Sequence, residues 1–146
     1  MSDSCLRTVF FNARGIHGES FFDPAIKPRT GMIEQYHSGD LNNYHVSYWA
    51  GERGTANVRK NAGFYLVATG KAPVADAPPD TFQTIRLDKR GGTIRLMVDD
   101  VVSVAFDDDG KTRGDAWAHS GWIGLRQMAH TIHCGYDDLK VFPCKP

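Results

Sequence analysis

The sequence lacks several features that would place it in a broad functional class at once. Its 146 residues hold 17 basic and 17 acidic side chains, so the formal net charge is 0. This balance does not favour nucleic acid or a membrane surface as a partner. No apolar run approaches the roughly 20 residues that span a bilayer. The N-terminus shows no basic stretch followed by an apolar one, so the sequence as written predicts a cytoplasmic protein.

Cysteine is also scarce. Cys5, Cys134 and Cys144 are too few and too widely spaced for a disulfide scaffold or a zinc cluster. His130 and His133 lie three apart in a predicted strand and would face opposite sides, so they are not expected to share an ion. The run 107–110 lacks the closing Glu of a calcium loop and is interpreted as a turn. The sequence therefore predicts no metal and no cofactor.

Helical periodicity is missing as well, whereas strand patterns are frequent. Residues 82–110 alternate apolar and polar side chains around the turns GG and DD, which predicts a three-stranded antiparallel meander. Further strands are predicted at VFFNA, MIEQYH, YHVSYW, ANVRKN, GFYLVATG, GWIGLRQM and IHCGYDDLKVF. Short strands at this spacing predict an all-β protein of one domain, residues 1–146. Its expected architecture is an antiparallel two-sheet β-sandwich of the jelly-roll type.

The chemistry-bearing side chains concentrate in residues 31–61. Side chains alternate across a strand, so Gln35 and His37 are predicted to share one face, as are Asn57, Arg59 and Asn61. Such a surface suits a polar, planar or anionic ligand. The preceding residues, 16–30, are interrupted by Gly and Pro and are predicted to form a long loop, a kind of segment that often carries function.

The aromatic residues of this stretch allow two orientations. Trp49 shares a face with His45 and Ser47, which favours a place on the ligand face as a flat apolar platform. Val46 then directs Tyr44 and Tyr48 toward the core. A catalytic role for either tyrosine requires the opposite orientation, and the sequence alone leaves both open.

Several of these segments together resemble a known family. FFNARG, GESFFDP, PRTG, QYHSGDLNNYHVSYW, NVRKN and GWIGLRQM are similar to the DUF1961 family over nearly the whole chain. The resemblance implies a concanavalin A-like lectin/glucanase fold, a bacterial polysaccharide-utilisation setting, and a concave sheet that faces the glycan.

The sequence also differs from the family in one respect. Members carry further strands ahead of the segment that corresponds to residues 6–13, so the expected fold is a concanavalin A-like jelly roll lacking some N-terminal strands. Exposed strand edges would favour a homodimer. A missing N-terminal signal would make the natural protein periplasmic or secreted.

The first functional expectation is binding of an oligosaccharide or polysaccharide, acidic in character, on the concave sheet. Arginine forks recognise carboxylate or sulfate groups through paired bonds. The alternative for the arginines is a solvated face with salt bridges to Glu34 or Asp40. The residues expected to bind the ligand are Gln35, His45, Trp49, Asn57, Arg59, Asn61 and Arg126.

The second expectation is a polysaccharide lyase that cleaves a uronate-containing glycan by β-elimination. By analogy with concanavalin-like lyases, His37 would act as base and Tyr44 or Tyr48 as acid, while Gln35 and Arg59 neutralise the carboxylate. A glycosidase of the concanavalin-like glucanase type is not expected, because no strand carries the E-x-D-x-x-E pattern of acidic residues. A third expectation is a truncated fragment without activity, and enzymatic activity therefore stays open.

Overall fold

Eight strands and one short helix make up the described part of the chain. The computed structural model describes residues 5–50, 53–72, 81–117, 119–128 and 134–144. In chain order the elements are β1 (Cys5–Gly15), α1 (Glu34–His37), β2 (Leu41–Ala50), β3 (Thr55–Asn61), β4 (Tyr65–Lys71), β5 (Ile85–Arg90), β6 (Thr93–Val98), β7 (Val101–Asp107) and β8 (Trp122–Gln127). No helix among these residues is long and apolar enough to cross a membrane.

The strands form two antiparallel sheets. One has five strands in the order β4-β3-β2-β1-β8, and the other has three in the order β5-β6-β7. The smaller sheet is the predicted meander, with the pairs Leu87–Leu96 and Leu96–Val104 across its centre. The predicted all-β sandwich of two antiparallel sheets is therefore confirmed.

The core lies between the two sheets and follows from strand alternation. Tyr44, Val46 and Tyr48 project from β2 toward the smaller sheet, which contributes alternating apolar residues from β6. The buried cluster contains Phe11, Tyr44, Val46, Tyr48, Ala56, Val58, Ala72, Ile94, Leu96, Val98 and Val104. Their burial removes apolar area from water, which is the main force that holds the sheets face to face.

The two sheets contact each other where β4 passes β7. The Ser103 hydroxyl donates a hydrogen bond to the Lys71 carbonyl at 2.7 Å. A Cβ atom on Gly70 would lie 1.9 Å from the Ser103 carbonyl oxygen, so only glycine fits at this position.

The predicted strand MIEQYH is wrong, because Glu34–His37 forms the single turn of α1. Its backbone groups bond within the segment: Ser38 N–H donates to the Glu34 carbonyl at 2.9 Å, and Tyr36 N–H donates to Ile33 at 3.0 Å. Both edges of β2 are already paired with β1 and β3, so the segment has no free edge there to join as a strand.

The predicted strand VFFNA lies within β1, which pairs with β2 on one side and with β8 on the other. One further strand prediction needs correction. The closing strand predicted over 132–142 is wrong within the described residues 134–142, which form no strand. Asp138 has a φ of 56°, a left-handed conformation that interrupts an extended strand.

Candidate functional site

The candidate site is the outer face of the five-stranded sheet, the side turned away from the smaller sheet. Strand pairing sets His45 beside Arg59 and Phe10, and Phe10 beside Gly124. The next row along the strands contains Asn57, Ser47, Thr8 and Arg126. The structure therefore brings the predicted ligand residues of β2, β3 and β8 to one face.

The helical turn α1 lies on this face and buries its centre. The ring of His37 stacks on Phe64, with 4.0 Å between centroids, and the ring of His45 lies 5.7 Å from Phe64. Gly63 N–H donates to the His37 carbonyl at 2.8 Å, which fastens α1 to the β3–β4 turn. His45 is only 4% exposed. Both imidazole rings are therefore buried and do not line an open groove.

A chain of amide groups holds α1 in place. Asn61 Nδ2 donates to His45 Nδ1 at 2.9 Å and to Asn43 Oδ1 at 2.7 Å. Asn43 Nδ2 in turn donates to the Tyr36 carbonyl at 2.8 Å. Because its Nδ1 accepts a hydrogen bond, His45 carries its proton on Nε2. The predicted ligand residues His45 and Asn61 thus serve as buried anchors.

The two histidines of the face are uncharged at neutral pH. Burial lowers the pKa of His45 to about 3, and the positive charges of Arg59 and of a protonated His37 act in the same direction. Burial also lowers the pKa of His37. Glu34 and a backbone hydrogen bond oppose that shift, while Arg59 and Arg126 add to it. The arginines therefore carry the positive charge of this face.

Neither Arg59 nor Arg126 pairs with a carboxylate among the described residues. Arg59 Nη1 donates to the Phe64 carbonyl at 2.8 Å, and its Cζ lies 3.9 Å from the centre of the Phe64 ring. Arg126 Nη1 donates to the Gly31 carbonyl at 2.7 Å. Of the two carboxylates expected as alternatives, Asp40 pairs instead with Arg29 at 2.9 Å. Both guanidinium groups keep a charge that is not neutralised within the described part of the chain.

An aromatic cavity of about 160 Å³ opens on the same face beside α1. Phe22 and Trp122 meet edge to face at its rim, with 4.7 Å between ring centroids, and they are 70% and 49% exposed. The lining residues are Phe10, Ala13, Phe21, Phe22, Tyr36, Leu41, Asn43, Trp122, Ile123, Gly124, Leu125 and Arg126. The sequence did not predict this cavity, although the Phe-Phe pair in the long loop was an available signal for it.

The expected catalytic tyrosines lie on the wrong side of the sheet. Tyr44 and Tyr48 are buried in the core, where the Tyr44 hydroxyl donates to Asp108 at 2.6 Å and the Tyr48 hydroxyl donates to Gln83 at 3.3 Å. Since His37 belongs to the outer face, neither hydroxyl can serve as its acid partner. The proposed catalytic set is therefore corrected: the structure does not bring it together.

The remaining predicted ligand residues have separate positions. Gln35 Oε1 accepts a hydrogen bond from Thr30 N–H at 2.9 Å and so fixes the long loop. Asn57 is half-buried on the outer face, in the row of Arg126. Trp49 lies on β2 beyond Ser47, with the guanidinium Cζ of Arg53 4.5 Å from the centre of its ring. Trp49 is thus displaced along the strand from Arg59.

A buried ion pair lies on the core side of the same sheet. Lys60 Nζ contacts Asp108 Oδ2 at 2.8 Å, and the two side chains are 1% and 0% exposed. Lys60 also donates to the carbonyls of Thr112 and Gly114. The run 107–110 was interpreted as a turn, which the bond from Gly110 N–H to Asp108 supports, but its central role is to bind the loop to β3. In the sequence, Lys60 lies two residues after Val58 and so shares its face of the strand, which was the signal that this lysine is buried.

No group of three or more His, Cys, Asp or Glu side chains that could hold a metal ion occurs within the described ranges. His130 and His133 lie outside those ranges. Cys134 is half-buried, and its sulfur accepts a hydrogen bond from Arg7 Nε at 3.4 Å.

The two packed antiparallel sheets form a jelly-roll β-sandwich of the galectin-like type. A crystal structure described as a protein of unknown function with a galectin-like fold, from Bacillus subtilis, matches with a TM-score of 0.77 and 40% identity, over 86% of this chain and 60% of that chain. Residues 1–141 match the family described as "Domain of unknown function (DUF1961)", and the chain belongs to that family.

The chain is also similar to a protein of Bacillus subtilis. It is 40% identical over 144 residues to "Uncharacterized protein YesU" of Bacillus subtilis (strain 168), covering 91% of this chain and 63% of the relative. The chain therefore spans about three fifths of the length of the relatives it matches.

Proposed function

We propose that the outer face of the five-stranded sheet binds an acidic oligosaccharide, as part of polysaccharide utilisation. The observation that carries the proposal is the presence of Arg59 and Arg126 on one sheet face without a carboxylate partner among the described residues. A guanidinium fork matches a carboxylate or sulfate group in geometry and in charge. The galectin-like fold of the solved relative supports a carbohydrate as the ligand class.

The spacing of the arginines favours an oligomer over a single sugar. Arg59 lies on β3 and Arg126 on β8, with β2 and β1 between them. Three steps of roughly 4.8 Å between neighbouring strands separate the two backbones by about 14 Å. A ligand that engages both charges therefore extends over α1, which covers the strands between them, and one acidic sugar unit would meet each guanidinium.

Binding is favoured over lyase chemistry because neither of the tyrosines expected as the acid lies on the face of His37. The lowered pKa of His37 leaves it unprotonated, as a base requires, but its ring is buried against Phe64. Tyr44 and Tyr48 belong to the core.

The homodimer through exposed strand edges stays a prediction, with β4 and β8 as the outer strands of the larger described sheet.

The test is a calorimetric titration of the protein with oligogalacturonates and with neutral oligosaccharides of equal length. Arg59→Gln is expected to weaken binding of the acidic ligand by about 10- to 100-fold, because a hydrogen bond to a charged group contributes roughly 1.5–3 kcal/mol. Arg95→Gln removes an exposed charge from the smaller sheet and serves as the matched control.

Three outcomes would contradict the proposal. They are equal affinity for neutral and acidic ligands, an equal loss in both variants, and no binding to either ligand. The last would favour an inactive fragment. Ultraviolet absorbance of unsaturated chain ends, followed during the same incubation, would reveal lyase activity.

A further inference from the structure

The aromatic cavity offers an unusual set of contacts for a sugar-binding surface. Nine of its twelve lining residues have apolar or aromatic side chains. The ring of Phe10 lies 5.7 Å from that of Tyr36, so aromatic faces border the cavity from both the sheet and α1. The volume of about 160 Å³ is below the roughly 300–1,000 Å³ of pockets for larger organic ligands, so it accommodates one ring.

Few polar groups remain available in the cavity. The Asn43 side chain already donates to the Tyr36 carbonyl and accepts from Asn61. Arg126 is the one charged residue of the lining, and its buried Nε has no acceptor among the described residues. The cavity thus combines apolar walls with the guanidinium group of Arg126 at one side.

The floor of the cavity has room for a flat group. A Cβ atom on Gly124 would meet no atom within 4 Å, so the strand leaves open space in front of its backbone. The exposed rings of Phe22 and Trp122 form the entrance. A planar ring that enters beside this pair would lie against the Gly124 backbone and the Phe10 ring, which both line the cavity.

We propose that this cavity is a binding site for a planar aryl group that bears a carboxylate or ester carbonyl. The aryl ring lies among the aromatic walls, where offset or edge-to-face ring pairs contribute about 0.5–1.5 kcal/mol each beyond their burial. The carboxyl oxygen accepts a hydrogen bond from Arg126. A bare pyranose fits the lining poorly, because each buried hydroxyl without a partner costs roughly 1–3 kcal/mol.

This site goes beyond the proposed function, since it requires neither Arg59 nor a sugar. The aryl carboxyl group has two sources, a free aromatic acid or an aryl ester carried by a glycan. Titrations with 4-hydroxycinnamate and with an oligosaccharide esterified by the same acid distinguish them. Tighter binding of the ester identifies a glycan-borne group, and equal or weaker binding identifies the free acid, while either result supports the cavity.

The direct test is Gly124→Leu, because its Cβ atom would meet no atom within 4 Å and its side chain would extend into the cavity. We expect the affinity for 4-hydroxycinnamate, measured by calorimetry and by tryptophan fluorescence, to fall at least 10-fold. Ala105→Leu adds a bulky side chain at an exposed strand position of the smaller sheet and is expected to leave the affinity unchanged. Arg126→Gln is expected to weaken binding of the free acid by about 10- to 100-fold.

The inference is overturned if neither aryl probe binds the wild-type protein. It is also overturned if the Gly124→Leu variant binds 4-hydroxycinnamate as tightly as the wild-type protein does. It is equally overturned if galacturonate binds as tightly as 4-hydroxycinnamate and with the same sensitivity to Gly124→Leu. Circular dichroism checks folding of the variant, and Trp122→Ala tests the entrance if Gly124→Leu does not fold. Aryl binding without oligogalacturonate binding would contradict the proposed function alone.

Discussion

Asp108→Asn is expected to lower the free energy of unfolding by about 3–5 kcal/mol, the cost typical of breaking a buried ion pair on one side. The carboxylate accepts bonds from Lys60 at 2.8 Å and from the Tyr44 hydroxyl at 2.6 Å. Burial alone would raise the pKa of Asp108, but the bonds from Lys60, Tyr44 and Gly110 N–H together lower it. Removing this charge leaves the Lys60 ammonium buried with carbonyl partners only.

Urea denaturation of three variants tests this expectation. Asp88→Asn is the matched control, because the Arg86–Asp88 pair is exposed and should change stability by less than about 1 kcal/mol. The double variant Lys60→Met with Asp108→Leu should recover only part of the loss, because it removes the unpaired buried charge but leaves the Tyr44 hydroxyl and the Thr112 and Gly114 carbonyls without these partners. A loss in Asp108→Asn no larger than in Asp88→Asn would show that the buried pair does not support the fold.

Acidification from pH 7 to pH 4.5 is expected to destabilise the protein through His45. Its pKa in the folded protein is about 3, below its ordinary value of 6.5, so the unfolded chain binds more protons over this range. The stabilisation is complete above pH 6.5 and is lost progressively as the pH falls toward 3. At about 1.4 kcal/mol per pH unit, the loss at pH 4.5 is on the order of 2–3 kcal/mol.

Measurement of the free energy of unfolding at several pH values, for wild type and for His45→Gln, tests the direction and the slope of this pH dependence. Glutamine keeps an acceptor for Asn61 but cannot take up the proton, so the slope should decrease. His37 accounts for part of the remaining slope, because its pKa is also lowered. Stability that rises as the pH falls from 7 to 4.5 would contradict the buried, neutral state of His45. Asp108 titrates below this range, since its pKa is lowered from 3.8.

Strand alternation made much of the architecture predictable. The pattern of residues 41–50 separates Tyr44, Val46 and Tyr48 from His45 and Trp49, because a strand has a period of two and one of its faces is buried. The same rule gave the meander of the smaller sheet. It also directed Arg59 and Arg126 to one side of the larger sheet.

Features that depend on contacts distant in sequence could not be predicted. MIEQYH alternates like a strand, but the edges of β2 that it would need are occupied, and this follows only from the completed sheet. The Phe22–Trp122 contact joins residues 100 positions apart, and Lys60–Asp108 joins residues 48 positions apart. No local pattern encodes such pairs. The burial of His37 and His45 likewise depends on where α1 docks.

The most direct measurement of the central claim is an NMR titration that follows the arginine side-chain Nε–Hε signals as an acidic oligosaccharide is added. The proposed binding face predicts saturable shifts for Arg59 and Arg126. It also predicts unchanged signals for Arg86 and Arg95, which lie on the smaller sheet. Shifts confined to Arg86 and Arg95, or no shift at saturating ligand, would contradict binding on the outer face.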